Sequence, residues 1–229
     1  MYDLYIGNKN YSSWSLRPWL LMRMLDIPFQ EKLVPFGTGP NGGNTFHAFS
    51  PSGKVPCLVD QGQAMWDSLA ITEYLAERHA GVWPEDPVAR AWARCAAAEM
   101  HSGFFALRER CTMNCGLRIR LADIPPALQK DIDRLGQLWI DGLTRFGGPY
   151  LAGAKFTAVD AFFGPVAFRV QTYGLKLAPQ AQQYAERLLA VEPMQQWYAD
   201  ALREPWRDEP HEEEARGMGV WLEDLRTSA

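Results

Sequence analysis

The sequence predicts an α/β amino-terminal domain with a mixed four-stranded sheet in βαβ then ββα order, followed by an all-α helical domain. Three observations carry this. Strand-like and helix-like segments alternate through residues 1–79. Trp83-Pro84-Glu85-Asp86-Pro87 then stiffens the chain with two prolines in four residues, a natural boundary. Beyond it strand signals give way to segments rich in alanine, leucine and arginine. The divisions expected are 1–79 for the first domain, 80–87 for the linker, 88–206 for the helical domain and 207–229 for an acidic extension.

Tyr2-Asp3-Leu4-Tyr5-Ile6 alternates as a half-buried strand does, and Gly7-Asn8-Lys9-Asn10 is turn chemistry. Leu16, Trp19, Leu20 and Met24 share a helix face. Pro18 is tolerated only in a first turn, so the helix is expected to start near Ser15 or Leu16, with Ser12 and Ser13 in the loop before it. Phe29 to Phe36 reads as a second, parallel strand, and Gly37 to Thr45 as a flexible connection without a phosphate-loop pattern. After the linker, Val88 to Cys115 reads as one long helix with a bend at Gly103, and Ala127 to Phe146 as another, stopped by Gly147-Gly148-Pro149. Thr157 with Asp160 makes a capping-box start to a further helix.

The stretch that organises the first domain is Ser50 to His79. A turn at Ser50-Pro51-Ser52-Gly53 leads into Val55-Pro56-Cys57-Leu58-Val59, then a hairpin turn at Asp60-Gln61-Gly62, a strand ending in Met65-Trp66, and a helix opened by Asp67-Ser68. Proline inside a strand belongs at an edge, yet its neighbours here are apolar, so a special backbone state, with a cis peptide as the economical form, is expected at Pro56. The N–H and C=O of Val55 are then left to pair with an extended ligand. Asp67 and Ser68 place a carboxylate, a hydroxyl and free helix N–H groups at one helix start, which suits a ligand bearing a carboxylate.

This order of parts, Lys54-Val55-Pro56, Asp67-Ser68 and the following Leu69-Ala70-Ile71-Thr72-Glu73-Tyr74-Leu75, resembles the glutathione-binding half of the cytosolic glutathione transferases. The βαβ and ββα order is also the thioredoxin-like plan of that family. The resemblance implies that Val55, before the cis-proline Pro56, pairs with the cysteinyl backbone of glutathione, and that Asp67 and Ser68 hold its γ-glutamyl end. Lys54 can reach a ligand carboxylate or remain solvated. Tyr11-Ser12-Ser13-Trp14 resembles the serine-type, zeta-like branch, in which a serine hydroxyl contacts the sulfur. Counting back from the end of the first helix favours Ser12 over Ser13, with Tyr11 as a third candidate. The run departs from the zeta pattern at Trp14, where an indole replaces a cysteine, and this speaks against zeta-class isomerisation and against thiol exchange.

The chemistry asked of those serines is modest. A thiol with a reference pKa near ~8.5 is mostly protonated at neutral pH, and the thiolate is the nucleophile. One hydrogen bond to a charged group is worth roughly 1.5–3 kcal/mol, about one to two pKa units, enough to make the thiolate dominant. The function expected is a glutathione transferase acting in detoxification, with glutathione as co-substrate, no metal, and a small hydrophobic electrophile as acceptor. Tyr11, Trp14, Met100, Phe104, Leu107 and Cys111 are the candidate wall of the acceptor pocket. The alternatives are a glutathione-dependent isomerase or peroxidase of the same fold, or a non-catalytic binding protein. The family further implies a homodimer.

Composition bounds the rest. The chain has 229 residues, 47% hydrophobic and 22% charged, as a soluble globular protein has. The net charge of −4 sits in the segment from Arg207 to Ala229, with seven acids and three bases; residues 1–206 are formally neutral. No basic footprint for nucleic acid is present. The tail reads as a solvated extension whose Val220-Trp221-Leu222 and Leu225 suggest a return to the body. No apolar run has the roughly 20 residues of a membrane helix, and the amino terminus lacks the plan of a secretory signal, so no membrane association and a cytoplasmic location are expected. Cys57, Cys95, Cys111 and Cys115 show no zinc-ligand spacing with the four histidines and read as reduced thiols.

Overall fold

The computed structural model describes residues 1–39 and 43–227. The Pro40–Gly42 part of the glycine-rich connection and the last two residues of the tail lie outside the described residues. The first domain runs β1 (Tyr2–Ile6), α1 (Ser13–Met24), β2 (Phe29–Leu33), β3 (Cys57–Asp60), β4 (Gln63–Trp66) and α2 (Ser68–Ala76). Its sheet has the order β2-β1-β3-β4, with β1 and β2 parallel across the α1 crossover and β3 antiparallel to both β1 and β4. This is the mixed four-stranded, thioredoxin-like arrangement that the alternation of elements predicts.

The helix α1 begins at Ser13, two residues before the expected start, and Pro18 sits inside it. Ser12 is the reason: as N-cap its side chain accepts from Ser15 N–H, which lets the helix open before the proline. Nine residues of α1 are buried, because the helix is covered by its own sheet on one side and by the second domain on the other. The turn Gly7 to Asn10 is also buried rather than solvated. Lys9 there is 5% exposed, pairs with Glu31 and Asp200 at 2.9 and 2.8 Å, and lies over the rings of Trp19 and Trp197. Glu204 accepts the Lys9 and Asn10 backbone N–H groups at 2.6 and 3.3 Å, and Trp197 Nε1 donates to the Lys9 carbonyl. That turn is therefore a latch between the two domains.

The second domain comprises α3 (Pro87–Ser102), α4 (Phe105–Arg110), β5 (Leu117–Leu121), α5 (Pro126–Phe146), α6 (Ala158–Tyr173), α7 (Pro179–Ala190), α8 (Glu192–Arg203), α9 (Glu209–Met218) and β6 (Gly219–Asp224). The helix α6 is its central element, buried over nearly its whole length and packed on α1, α3 and α7. Gly164 allows the contact with α1, since a Cβ there would lie 2.8 Å from Leu20 Cδ2. The capping box at Thr157 and Asp160 is present. Asp160 also accepts from Leu151 N–H and from the Tyr184 hydroxyl, at 3.0 and 2.8 Å, so its carboxylate ties three segments together.

Two expectations need correction here. The long helix from Val88 to Cys115 is broken: Gly103 leaves α3 in extended backbone, and Phe104 is left-handed at φ 55°. Arg108 folds back and donates to the carbonyls of Met100, His101 and Gly103, supplying partners that a continued helix would have provided. The second correction concerns the tail, which is not a solvated extension. β6 pairs antiparallel with β5, adding a two-stranded ribbon to the helical domain. Beside it Arg226, with its side chain 2% exposed, forms an ion pair with Glu212, 4% exposed. The acidic count in the tail thus includes a residue that is neutralised and interior.

No helix is long and apolar enough to cross a membrane among the described residues.

Candidate functional site

Two adjoining cavities open on the first domain, one lined by it alone and the other shared with the second domain. One, of about 400 Å³, is bounded by Trp14, Lys54, Val55, Pro56, Asp67 and Ser68. The other, of about 430 Å³, has Ser12, Ser13, Arg108, Thr112, Met113 and Arg169 among its lining residues. Trp14, Lys54 and Val55 border both. The structure thus brings together around one cavity every residue expected to hold glutathione, and around its neighbour both candidate serines.

The smaller cavity is shaped by local backbone chemistry. The Val55–Pro56 peptide is cis. Asp67 caps α2 with φ at 73°, and its Oδ1 accepts from Leu69 N–H at 2.8 Å. Ser68 is 1% exposed, and its hydroxyl oxygen accepts from Arg17 Nη1 at 3.3 Å. Arg17 also reaches His101 Nδ1 at 3.4 Å, while His101 Nε2 lies 3.4 Å from Asp67 Oδ2. With Nδ1 accepting from the arginine, the neutral ring carries its proton on Nε2, on the side of the Asp67 carboxylate. Burial pushes the His101 pKa down, and the nearby Arg17 and Arg108 charges push it further against the opposing pull of Asp67. A chain of contacts therefore runs from α1 through α3 to the helix cap that faces the cavity.

Arg17 is 1% exposed, and its Nε is buried without a partner among the described residues. Its guanidinium lies 4.2 Å from the Trp14 ring and 4.9 Å from that of Phe162. Burial, and then repulsion from Arg108 and Arg169, drive its pKa well down from the usual arginine value. Arg169, also buried, is lowered to about 10 by burial and by Arg108. Arg108 and Arg169, which line the same cavity as the serines, raise a positive potential there, which favours an anion such as a thiolate.

The serines differ in what they can offer. Ser12 Oγ donates to Ser15 Oγ at 2.7 Å and accepts from Ser15 N–H at 3.4 Å. Ser15 Oγ in turn accepts from Gly7 N–H at 3.1 Å. The Ser12 hydroxyl is therefore committed to the start of α1. Ser13 is 7% exposed and lines the cavity, and its hydroxyl has no protein partner among the described residues. Tyr11 is committed elsewhere: its hydroxyl donates to Glu212 Oε1 at 2.6 Å, and burial together with that bond raises its pKa. It lines the cavity as a wall, not as a free donor.

The expected acceptor wall is corrected in its helical part. Met100, Phe104, Leu107 and Cys111 are 1%, 6%, 0% and 0% exposed and belong to the core. The helical spacing identifies an apolar stripe, and that stripe faces inward; Arg108, Thr112 and Met113 take its place at the cavity. Trp14 does border the cavities, held between Arg17 and an Arg108 guanidinium 4.8 Å from its ring. The tail supplies a further wall through His211, stacked on Tyr11 with ring centres 5.1 Å apart, and Glu214. Cys57 is buried, with its thiol directed at the Phe49 carbonyl. Among the described residues no group of three or more His, Cys, Asp or Glu side chains is placed to hold a metal ion.

Known proteins resemble the chain in sequence and in fold. The profile described as the glutathione S-transferase N-terminal domain matches residues 11–78, the span that holds both serines, the cis-proline and the Asp67-Ser68 cap. Through these residues the chain is similar to the glutathione transferases. Similarity to individual relatives extends into the helical domain. A probable maleylacetoacetate isomerase of Caenorhabditis elegans is 28% identical over 185 residues, 77% of this chain and 82% of the relative. The maleylacetoacetate isomerase of Rattus norvegicus is 25% identical over 201 residues, 84% and 89% of the two chains. In fold, a glutathione transferase homolog from Burkholderia, solved with bound glutathione, superposes with a TM-score of 0.63 at 22% identity, covering 87% of this chain and 97% of that one.

Proposed function

We propose that this chain is a glutathione transferase that binds glutathione in the smaller cavity, places its sulfur beside Ser13 and transfers it to an electrophile in the larger one. The observation that carries the reading is the free Ser13 hydroxyl in a cavity open to an acceptor, which shares Trp14, Lys54 and Val55 with the cavity capped by Asp67-Ser68. The γ-glutamyl amine meets the Asp67 carboxylate, and its carboxylate meets Ser68, with Arg17 behind that hydroxyl. The cysteinyl backbone pairs with Val55, and Lys54, exposed beside it, reaches the glycine carboxylate.

Ionisation then follows from two local terms. The Ser13 hydroxyl donates to the sulfur, and the Arg108 and Arg169 charges stabilise the anion. The hydrogen bond alone supplies about one to two pKa units. The thiol proton leaves to solvent, the thiolate forms a C–S bond with the electrophilic carbon, and a leaving group departs with its electron pair or a conjugated system takes up the charge. The same thiolate adding to a double-bond carbon, and leaving again after bond rotation, would isomerise an alkene. The two isomerase relatives favour that as the second reading. In this reading the enzyme works in the cytoplasm as a homodimer.

Isothermal titration tests it. Glutathione is expected to bind the wild-type protein, and Asp67→Ala to weaken binding about tenfold, the scale of a lost charge-assisted contact. Absence of binding at glutathione concentrations in the millimolar range would overturn the reading.

A further inference from the structure

The larger cavity is built unlike a site for a purely hydrophobic acceptor. Two arginines face it, and neither has an acidic partner among the described residues. Arg169 is 5% exposed on α6; its Nε donates to the Cys111 carbonyl at 2.7 Å and its Nη1 to the Pro165 carbonyl at 3.3 Å. Its Nη2 has no protein partner among the described residues, nor is it sealed from the cavity. Arg108 repeats the design from α4. Its Nε and Nη2 are taken up by carbonyls at the end of α3, while its Nη1 is left unpaired and open.

Carbonyl oxygens fix the plane of a guanidinium but carry no net charge. A cation out of bulk water without a counter-charge costs several kcal/mol, and single partners left alone in the interior are strongly unfavourable. The chain solves that problem elsewhere: Arg226, buried like Arg169, is met by Glu212 and Asp224. At Arg108 and Arg169 no carboxylate of the chain answers. What remains is one unpaired Nη group on each of two pre-oriented guanidinium planes, beside a Thr112 hydroxyl on the same wall. Two such charged donors together match the two oxygens of a carboxylate. The one acid lining this cavity, Glu214, comes from the tail. Tyr11, Phe36 and Phe46 leave room for an unsaturated or aromatic carbon skeleton.

We propose that the acceptor of this enzyme carries a carboxylate or a similarly compact anion, and that Arg108 and Arg169 are the residues that select it. This rests on the glutathione reading above for the identity of the second substrate, but not for the anion site itself. Both arginines line only the larger cavity, apart from the Asp67-Ser68 corner, so the anion they take is not the γ-glutamyl carboxylate.

The test compares matched acceptors that differ in charge. Dinitrobenzoate and neutral dinitrobenzene are titrated into the protein without glutathione, with quenching of tryptophan fluorescence as the readout. Dinitrobenzoate is expected to bind about tenfold more tightly, and Arg108→Met to remove that preference. With glutathione present, chlorodinitrobenzoate and chlorodinitrobenzene are compared as substrates, each corrected for its uncatalysed rate. In both a C–S bond forms, the C–Cl bond breaks and chloride leaves with the electron pair. The kcat/KM ratio is expected to favour the carboxylate about tenfold and to collapse in Arg108→Met and Arg169→Met, with the glutathione Kd unchanged within about twofold. Equal binding of the charged and neutral probes to the wild-type protein would overturn the proposal, as would arginine variants that weaken glutathione instead of the acceptor. The wild-type comparison decides the matter even where Arg169→Met does not fold. Charge-selective binding without glutathione binding would leave the anion site standing and defeat the transferase reading; glutathione binding without charge selectivity would do the reverse.

Discussion

Arg17 Nη1 lies 3.4 Å from His101 Nδ1, so the first helix of one domain and the first helix of the other meet directly behind the Asp67-Ser68 corner. His101 passes that contact on to Asp67. Replacing His101 by alanine is expected to raise the glutathione Kd about fivefold by freeing the Asp67 carboxylate, while leaving the pKa of the bound thiol unchanged. Because burial, with the neighbouring arginine charges, lowers its pKa, His101 gains its proton only below the range of a free imidazole, so the ratio of the His101→Ala to wild-type glutathione Kd is expected to stay constant from about pH 6.5 to 7.5. Titration calorimetry at three pH values checks both statements.

Ser12 and Ser13 separate by what each substitution disturbs. Loss of an N-cap costs about 1 kcal/mol, so Ser12→Ala is expected to lower the denaturant midpoint without a change in slope. Ser13→Ala removes a hydroxyl with no protein partner and is expected to leave stability within about 0.5 kcal/mol. Equal destabilisation by both would show that Ser13 has a structural role.

The tail is held by one interior pair. Arg226→Met leaves Glu212 buried without its cation, and breaking such a pair costs about 3–5 kcal/mol. The expected result is release of α9 and β6 before global unfolding, seen as loss of hydrogen-exchange protection from residue 209 onward and in β5, which pairs with β6.

Asp160 sets a pH dependence of stability. Burial outweighs its hydrogen bonds and raises its pKa to about 6. The unfolded value is near ~3.9, so the folded state binds the extra proton between about pH 4 and 6. Its favourable contribution is full below about pH 4 and is lost as pH rises through about 6. Relative to Asp160→Asn, which does not titrate, the wild-type protein is therefore expected to lose stability across that window in denaturant titrations. A difference that stays constant with pH would contradict the assignment.

Much of this was legible in the residues, for reasons that differ along the chain. A proline among buried apolar residues and an acid-serine pair before a helix announce special backbone geometry locally, so the Val55-Pro56 and Asp67-Ser68 corner could be read from its own neighbourhood. The choice between Ser12 and Ser13 could not, because it depends on Ser15 taking the Ser12 hydroxyl. Helical periodicity located an apolar stripe from Met100 to Cys111 but not the side on which it would be covered. Arg108 and Thr112, polar and four apart beside that stripe, were the available signal for the other side. Arg17, alone among apolar neighbours in α1, was a similar sign, but its partners His101 and Ser68 are distant in sequence. The β5 and β6 ribbon was hidden because its strands are nearly 100 residues apart, and each is short and charged.

The central claim is that the Ser13 hydroxyl, aided by the arginine cluster, ionises the bound thiol. The most direct measurement is the pKa of glutathione in the complex, followed by ultraviolet thiolate absorbance, for the wild-type protein, Ser12→Ala and Ser13→Ala. The account expects a wild-type value well below the free thiol, a rise of about one to two units in Ser13→Ala, and little change in Ser12→Ala. A bound thiol that ionises as it does in free solution, or that is indifferent to Ser13, would contradict it.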